Sequence, residues 1–178
     1  AQLARAGASL VLASRNVAAL ETVAAEEKAL GHEVYARSLD QDDEPSILHL
    51  RDSVLKEFGR VDGLVNNAVS RPMKSIDGPL SQWESSMKTN ATGLFAITRA
   101  FGEDMVRRGS GTIVNIGSTS AVKGDGPVPY CAAKAAVLDC YNAELEGLAL
   151  VLESLKQQDV SAQRVKHAAR RERLEHGA

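Results

Sequence analysis

A chain of 178 residues with 44% hydrophobic and 25% charged residues has the length and composition of one ordinary globular domain, which excludes global disorder. A formal net charge of −2 gives no general attraction to nucleic acid or acidic membranes, and 4% aromatic residues are too few for a platform that stacks single strands. Cys131 and Cys140 have neither metal-ligand nor disulfide spacing, His32, His49, His167 and His176 show no ligand pattern, and no apolar run approaches the ~20 residues that cross a bilayer.

In chain order, Ala1–Ala6 reads as the last turns of a helix, stopped by Gly7. Ser9–Ser14 is a continuous apolar run of the kind a buried parallel strand carries. Asn16 then caps a helix from about Val17 to Leu30, closed by Gly31, and His32–Ser38 alternates as a second strand. Asp43, Glu44 and Pro45 open a helix that runs to Phe58, where Gly59 supplies the stop. A brief strand ends at Asn66, followed by a loop with Pro72 and a Gly78–Pro79 turn. Ser81 and Glu84 form a capping-box pattern for one long helix from Trp83 to Arg108. Gly111–Ile116 is the next strand, Gly117–Pro129 a loop, and Pro129 opens a helix through about Leu155. The alternation predicts an α/β fold with a parallel sheet. After Gln158 the chain turns polar and arginine-rich, so residues 1–158 form the expected domain and 159–178 a solvated basic tail.

Chemistry concentrates late in the sequence. Tyr130 and Lys134, four residues apart, share one face of a helix. A phenol ionises near ~10, so it exchanges protons at neutral pH only when a fixed positive charge favours the phenolate. Ser118, shortly upstream, has a hydroxyl that could orient a substrate oxygen beside that phenol. This equipment suits reduction of a carbonyl or oxidation of an alcohol, given a hydride carrier. Asn90 sits inside the long helix, where asparagine is a poor helix former, so it serves something other than the helix.

Asn66–Asn67–Ala68 after a strand, KTNATGLF around Asn90, Ser118 and the YxxxK spacing of Tyr130 and Lys134 occur in the order found in one family. Together they resemble the short-chain dehydrogenase/reductase family, with a core similar to that of 3-oxoacyl reductases. The resemblance spans roughly residues 1–150 and implies a Rossmann-like, doubly wound parallel sheet. It implies that Tyr130 is the general acid/base, that Lys134 lowers the tyrosine pKa and bonds the nicotinamide ribose, that Ser118 holds the substrate oxygen, and that Asn90 completes a water relay to the lysine. It also implies that Asp40, with Gln41 beside it, lies near the adenine, and that Asn67 and Ala68 line the cofactor pocket. At the end of the first strand stand Ser14, Arg15 and Asn16. An acidic residue there accepts bonds from ribose hydroxyls, whereas an arginine pairs with a 2′-phosphate, so NADP(H) is expected over NAD(H).

The sequence departs from the family pattern at Val69, where glycine is usual, and in showing neither a TGxxxGxG turn nor a Pro-Gly turn after the catalytic helix, for which Val160–Val165 is the only candidate strand. The absent glycine-rich strand is the central one of such a sheet, so a gap is expected between the first and third readable strands. The expectation is therefore an incomplete piece of a cytoplasmic reductase that acts on a ketone or secondary alcohol and forms dimers or tetramers in its complete form. The alternative is a non-catalytic relative that pairs with an intact subunit. No nucleic-acid, membrane or metal partner is expected, and the substrate stays open among acyl-carrier thioesters, sugars, steroids and small ketones.

Overall fold

The computed structural model describes residues 2–138. The expected boundary near residue 158, the basic tail and the possible strand at Val160–Val165 lie outside the described residues, as does the C-terminal end of the Tyr130 helix. The chain divides into compact units Ala1–Ala136 and Val137–Ala178, and the account below concerns the first.

Alternation dominates the order of elements: α1 (Gln2–Arg5), β1 (Leu10–Ser14), α2 (Val17–Ala29), β2 (Val34–Ser38), α3 (Glu44–Phe58), β3 (Gly63–Asn66), α4 (Leu80–Met87), α5 (Leu94–Arg108), β4 (Thr112–Asn115) and α6 (Ser120–Lys123). A further helix, α7, occupies residues 128–138. The local signals act as expected at most ends. The Asn16 carboxamide accepts from the Ala19 N–H at 3.2 Å to cap α2. Asp43 accepts from the Ser46 N–H at 3.0 Å to cap α3, and Gly59 ends that helix in the left-handed region at φ 78°.

Two expectations fail locally. The Ser81–Glu84 capping box does not form: α4 begins at Leu80, behind Pro79, and has no side-chain cap. Pro79 has no N–H to satisfy and stops the chain at that point, so Ser81 falls within the first turn. The stretch expected to be an unbroken loop, Gly117–Pro129, contains the short helix α6, ended by Gly124 at φ 68°. The long helix expected from Trp83 to Arg108 does exist as a continuous path, but Lys88–Gly93 widens into a π turn between α4 and α5.

Among the described residues all strand pairing is parallel. β1 pairs with β2 from Leu10↔Val34 to Ser14↔Ser38, and β3 with β4 from Gly63↔Thr112 to Asn66↔Asn115. These are two separate two-stranded sheets, so β1 and β3 do not join across the expected gap. A layer of helix covers both. Ile47, Leu50 and Val54 of α3 and Ile97, Ala100 and Phe101 of α5 bury one core with Leu39, against which Val11 and Ala13 of β1 and Leu64 of β3 pack. The α3 positions follow the three-and-four spacing of a helix stripe, which is why this face turns inward. On the other side of β1–β2, Ala24 of α2 and Ala4 of α1 bury with Val34. The β1–β2 pair thus has helices on both faces, as its unbroken apolar run requires. Val65 and Val114, on the other face of β3–β4, remain 49% and 45% exposed.

Gly93 lets the π turn come close to the β2–α3 loop. A Cβ built there would stand 2.4 Å from the Gln41 carbonyl oxygen, a backbone atom that cannot swing aside. Gly93→Ala is therefore expected to cost about 1–3 kcal/mol of stability, read as a lower urea midpoint. An unchanged midpoint would show that the approach is slack.

Candidate active site

The carboxyl ends of β3 and β4, the start of α7 and the loop after β3 converge on Tyr130. Its ring is 5% exposed, and Lys134, one helical turn further along α7, is 3% exposed. The Lys134 ammonium donates to the Ile116 carbonyl at 2.5 Å and lies 6.0 Å from the centre of the Tyr130 ring. One of its three protons is used on that carbonyl, leaving two for other acceptors. Ser118 follows two residues after Ile116. Its hydroxyl accepts from the Ser120 N–H at 3.2 Å, which leaves its own proton for the phenol oxygen. The short helix α6, unforeseen in the sequence, thus fixes the serine that faces the tyrosine.

The sequence reading missed Arg71. Its guanidinium carbon sits 4.2 Å from the centre of the Tyr130 ring, inside the range of a cation–π contact. No motif or periodicity marks it: in SRPMKS it reads as one more basic loop residue, and only closure of the loop over α7 brings it to the phenol. The electrostatics follow from these neighbours. The Ser118 hydrogen bond, then the Arg71 hydrogen bond and charge, and then the Lys134 charge hold the Tyr130 phenol below its ordinary value, against the opposing effect of burial. Burial lowers Lys134 below the ordinary lysine value, the tyrosine resists this, and Arg71 adds to it.

Asn90 is 1% exposed, at the centre of the π turn. Its carboxamide pairs with the backbone of Ser70, accepting from the N–H at 2.9 Å and donating to the C=O at 2.6 Å. The second amide proton goes to the Ser86 hydroxyl at 3.1 Å. Both donors are spent, so the side chain anchors the loop rather than facing Lys134. Asn66 braces the strands in the same manner, donating to Asn115 at 2.7 Å and Thr98 at 2.9 Å.

The expected cofactor residues lie mainly at the carboxyl ends of β1, β2 and β3. Ser14, at the end of β1, donates to the Asn16 carbonyl at 3.3 Å, and Arg15 is exposed with no ion pair to another described residue. Asp40 accepts from the Asp42 N–H at 3.0 Å, while its own N–H goes to Ser46. Gln41 donates to the Thr89 carbonyl at 2.9 Å, so its amide is used to hold the π turn. Asn67 and Ala68 are exposed beyond β3. Asn16 has its carboxamide oxygen committed to capping α2.

A family model described as short chain dehydrogenase matches residues 1–147. The chain belongs to the short-chain dehydrogenase family. A 3-oxoacyl-[acyl-carrier-protein] reductase of Synechocystis is 34% identical over 122 residues, covering 67% of this chain and 49% of its own. Actinorhodin polyketide ketoreductase, solved with NADPH, superimposes with a TM-score of 0.75 at 32% identity, over 80% of this chain and 56% of that one. An NAD+-bound xylitol dehydrogenase superimposes with a TM-score of 0.73 at 29% identity, over 78% and 55%. The chain spans about a quarter to a half of the length of the curated relatives it matches. The family resemblance and the Rossmann-type α/β architecture expected from the sequence are thus both met.

The residues present fit a dinucleotide of this class. Among the described residues Lys134 keeps two donors beside the phenol, and Arg15 presents a fork with no ion pair at the end of β1. The loop that Asn90 holds yields a direct test. Asn90→Ala leaves the Ser70 N–H and C=O without their partner and is expected to cost about 2 kcal/mol. Hydrogen exchange at the Ser70 amide should accelerate in step. Unaltered protection there would show that the backbone pairing does not restrain the loop.

Proposed function

We propose that this chain carries the catalytic centre of an NADP(H)-dependent oxidoreductase that interconverts a ketone and a secondary alcohol. The observation that carries the reading is the buried Tyr130 phenol, set among Ser118, Arg71 and Lys134, all of which favour its ionised form. Bound reduced nicotinamide would supply a hydride to the carbonyl carbon, and its oxidised form would take it back from the alcohol. Tyr130 gives the proton to the carbonyl oxygen in reduction and removes it in oxidation. Ser118 holds that oxygen beside the phenol. Lys134 stabilises the phenolate and uses its spare protons on the ribose. Asn90 acts through the loop it anchors, and the water relay expected from it would have to use its backbone, because its amide protons are occupied.

NADP(H) is favoured over NAD(H) because the exposed Arg15 matches a 2′-phosphate at the end of β1. Ser14 and Asn16 flank that contact, Asp40 and Gln41 would lie towards the adenine, and Asn67 and Ala68 towards the nicotinamide half. A homodimer or homotetramer accompanies this reading, supported by the half-exposed Phe95 and Val106 on α5. So does a cytoplasmic location, in keeping with the free Cys131. Among the described residues no helix is long and apolar enough to cross a membrane. A non-catalytic partner would have no use for a buried phenol held between two cations.

Three outcomes are expected of the full-length protein. Tyr130→Phe should lower kcat by about 10²–10⁴-fold while NADPH binding, followed by equilibrium dialysis, is retained. In the parent protein, alcohol oxidation should rise with pH through the phenol's ionisation and level off below the ordinary tyrosine range, because the phenol is held low. Persistence of that limb in Tyr130→Phe would remove the tyrosine from the mechanism. Arg15→Glu should shift the NADPH-over-NADH ratio of kcat/KM towards NADH by about 10–100-fold, since it removes a charged pair and adds repulsion. An unaltered ratio would place the 2′-phosphate elsewhere.

A further inference from the structure

Arg71 brings a second positive charge to the site from outside α7. Lys134 already supplies a cation next to the phenol, on the same helix. The second cation is exposed, comes from a different segment, and has no carboxylate partner among the described residues. Among the described residues the centre therefore holds two cations and no carboxylate, and a bound oxidised nicotinamide would add a third positive charge. Such a field penalises a neutral substrate little but rewards an anionic one substantially.

We infer that Arg71 is the specificity-determining residue of this site and selects a substrate whose carboxylate lies one or two carbons from the reacting carbonyl, that is, a 2-oxo or 3-oxo acid or the matching hydroxy acid. The inference rests on the reductase reading above and narrows it. Distance decides the class. The guanidinium stacks on the ring whose hydroxyl meets the carbonyl oxygen, so an anion paired with it must be close to that oxygen. The phosphate of an acyl-carrier thioester lies many bonds away, and a neutral steroid or sugar brings no charge. Arginine suits the task because its planar fork binds a carboxylate through two parallel hydrogen bonds, whereas a lysine offers a point charge. Its contact with the tyrosine ring holds the guanidinium at the site while the residue stays exposed.

The test compares matched pairs of probes on the full-length protein: acetoacetate against methyl acetoacetate, and pyruvate against methyl pyruvate, with NADPH and NADH in parallel. The readout is the acid-over-ester ratio of kcat/KM, which cancels any general loss through Tyr130 or through folding. In at least one pair the parent protein should prefer the acid, and Arg71→Gln should lower that ratio by about 10–100-fold. Arg71→Lys should keep part of the preference. An ester preferred by the parent in both pairs, or a ratio that Arg71→Gln leaves unchanged, overturns the inference and leaves the reductase reading standing.

Calorimetric titration with acetoacetate and with pyruvate, with NADP+ present, gives a readout independent of turnover. Acid binding that Arg71→Gln abolishes, without reduction of any probe, would support the anion site and sink the reductase reading for these ketones. Absence of acid binding to the parent protein overturns the anion site whatever the turnover of the esters.

Discussion

The Asn90 carboxamide closes on both backbone groups of Ser70, and much of the site's geometry depends on that clamp. The clamp imitates a strand pairing, one donor and one acceptor against the main chain, made from a side chain in the middle of a helix. Asparagine is unfavourable there, and the helix widens into a π turn at Lys88–Gly93, the kind of local disruption that often accompanies function. Through the same turn, Thr89 accepts from Gln41 and Gly93 lies against the Gln41 backbone. One helical irregularity thus ties the loop after β2 to the loop after β3. Arg71 follows Ser70 directly, so the clamp also sets where its guanidinium begins.

The second constraint is electrostatic. Burying a phenol raises its pKa, and burying an ammonium lowers its own, so burial works against the charged form of each. Tyr130 and Lys134 are buried together, with Ser118 and Arg71 completing the set, and the polar neighbours outweigh burial at the tyrosine. At the lysine, burial is the larger effect and the phenol only partly offsets it. The short hydrogen bond to Ile116 helps keep the ammonium satisfied in a nearly closed environment. This balance favours the ionised phenol and gathers two cations, Lys134 and Arg71, around it.

Much of the fold was legible because its signals are local. Asn16, Asp43, Gly59, the apolar run Ser9–Ser14 and the alternating stretch His32–Ser38 each act within a few residues, and each produced the expected element. The errors arose where a longer-range or competing factor prevailed. Pro79 displaced the Ser81–Glu84 cap. The π turn came from a buried asparagine whose partner is twenty residues away, which no helical period reveals. The helix α6 is one turn long, too short for periodicity to announce it.

At the candidate site, the sequence alone singled out Asn90, Ser118, Tyr130 and Lys134 as candidates, because fixed spacing on a helix and motifs that follow strands are written along the chain. The separation of the strands into two parallel pairs was foreshadowed only as a gap, and the structure decided that β1 and β3 stay apart. Tertiary structure alone placed Arg71 over the Tyr130 ring and spent the Asn90 amide on Ser70. The physical reason is the same for both: these contacts join residues far apart in the chain, whose side chains meet only after the helices have packed and the loop has closed.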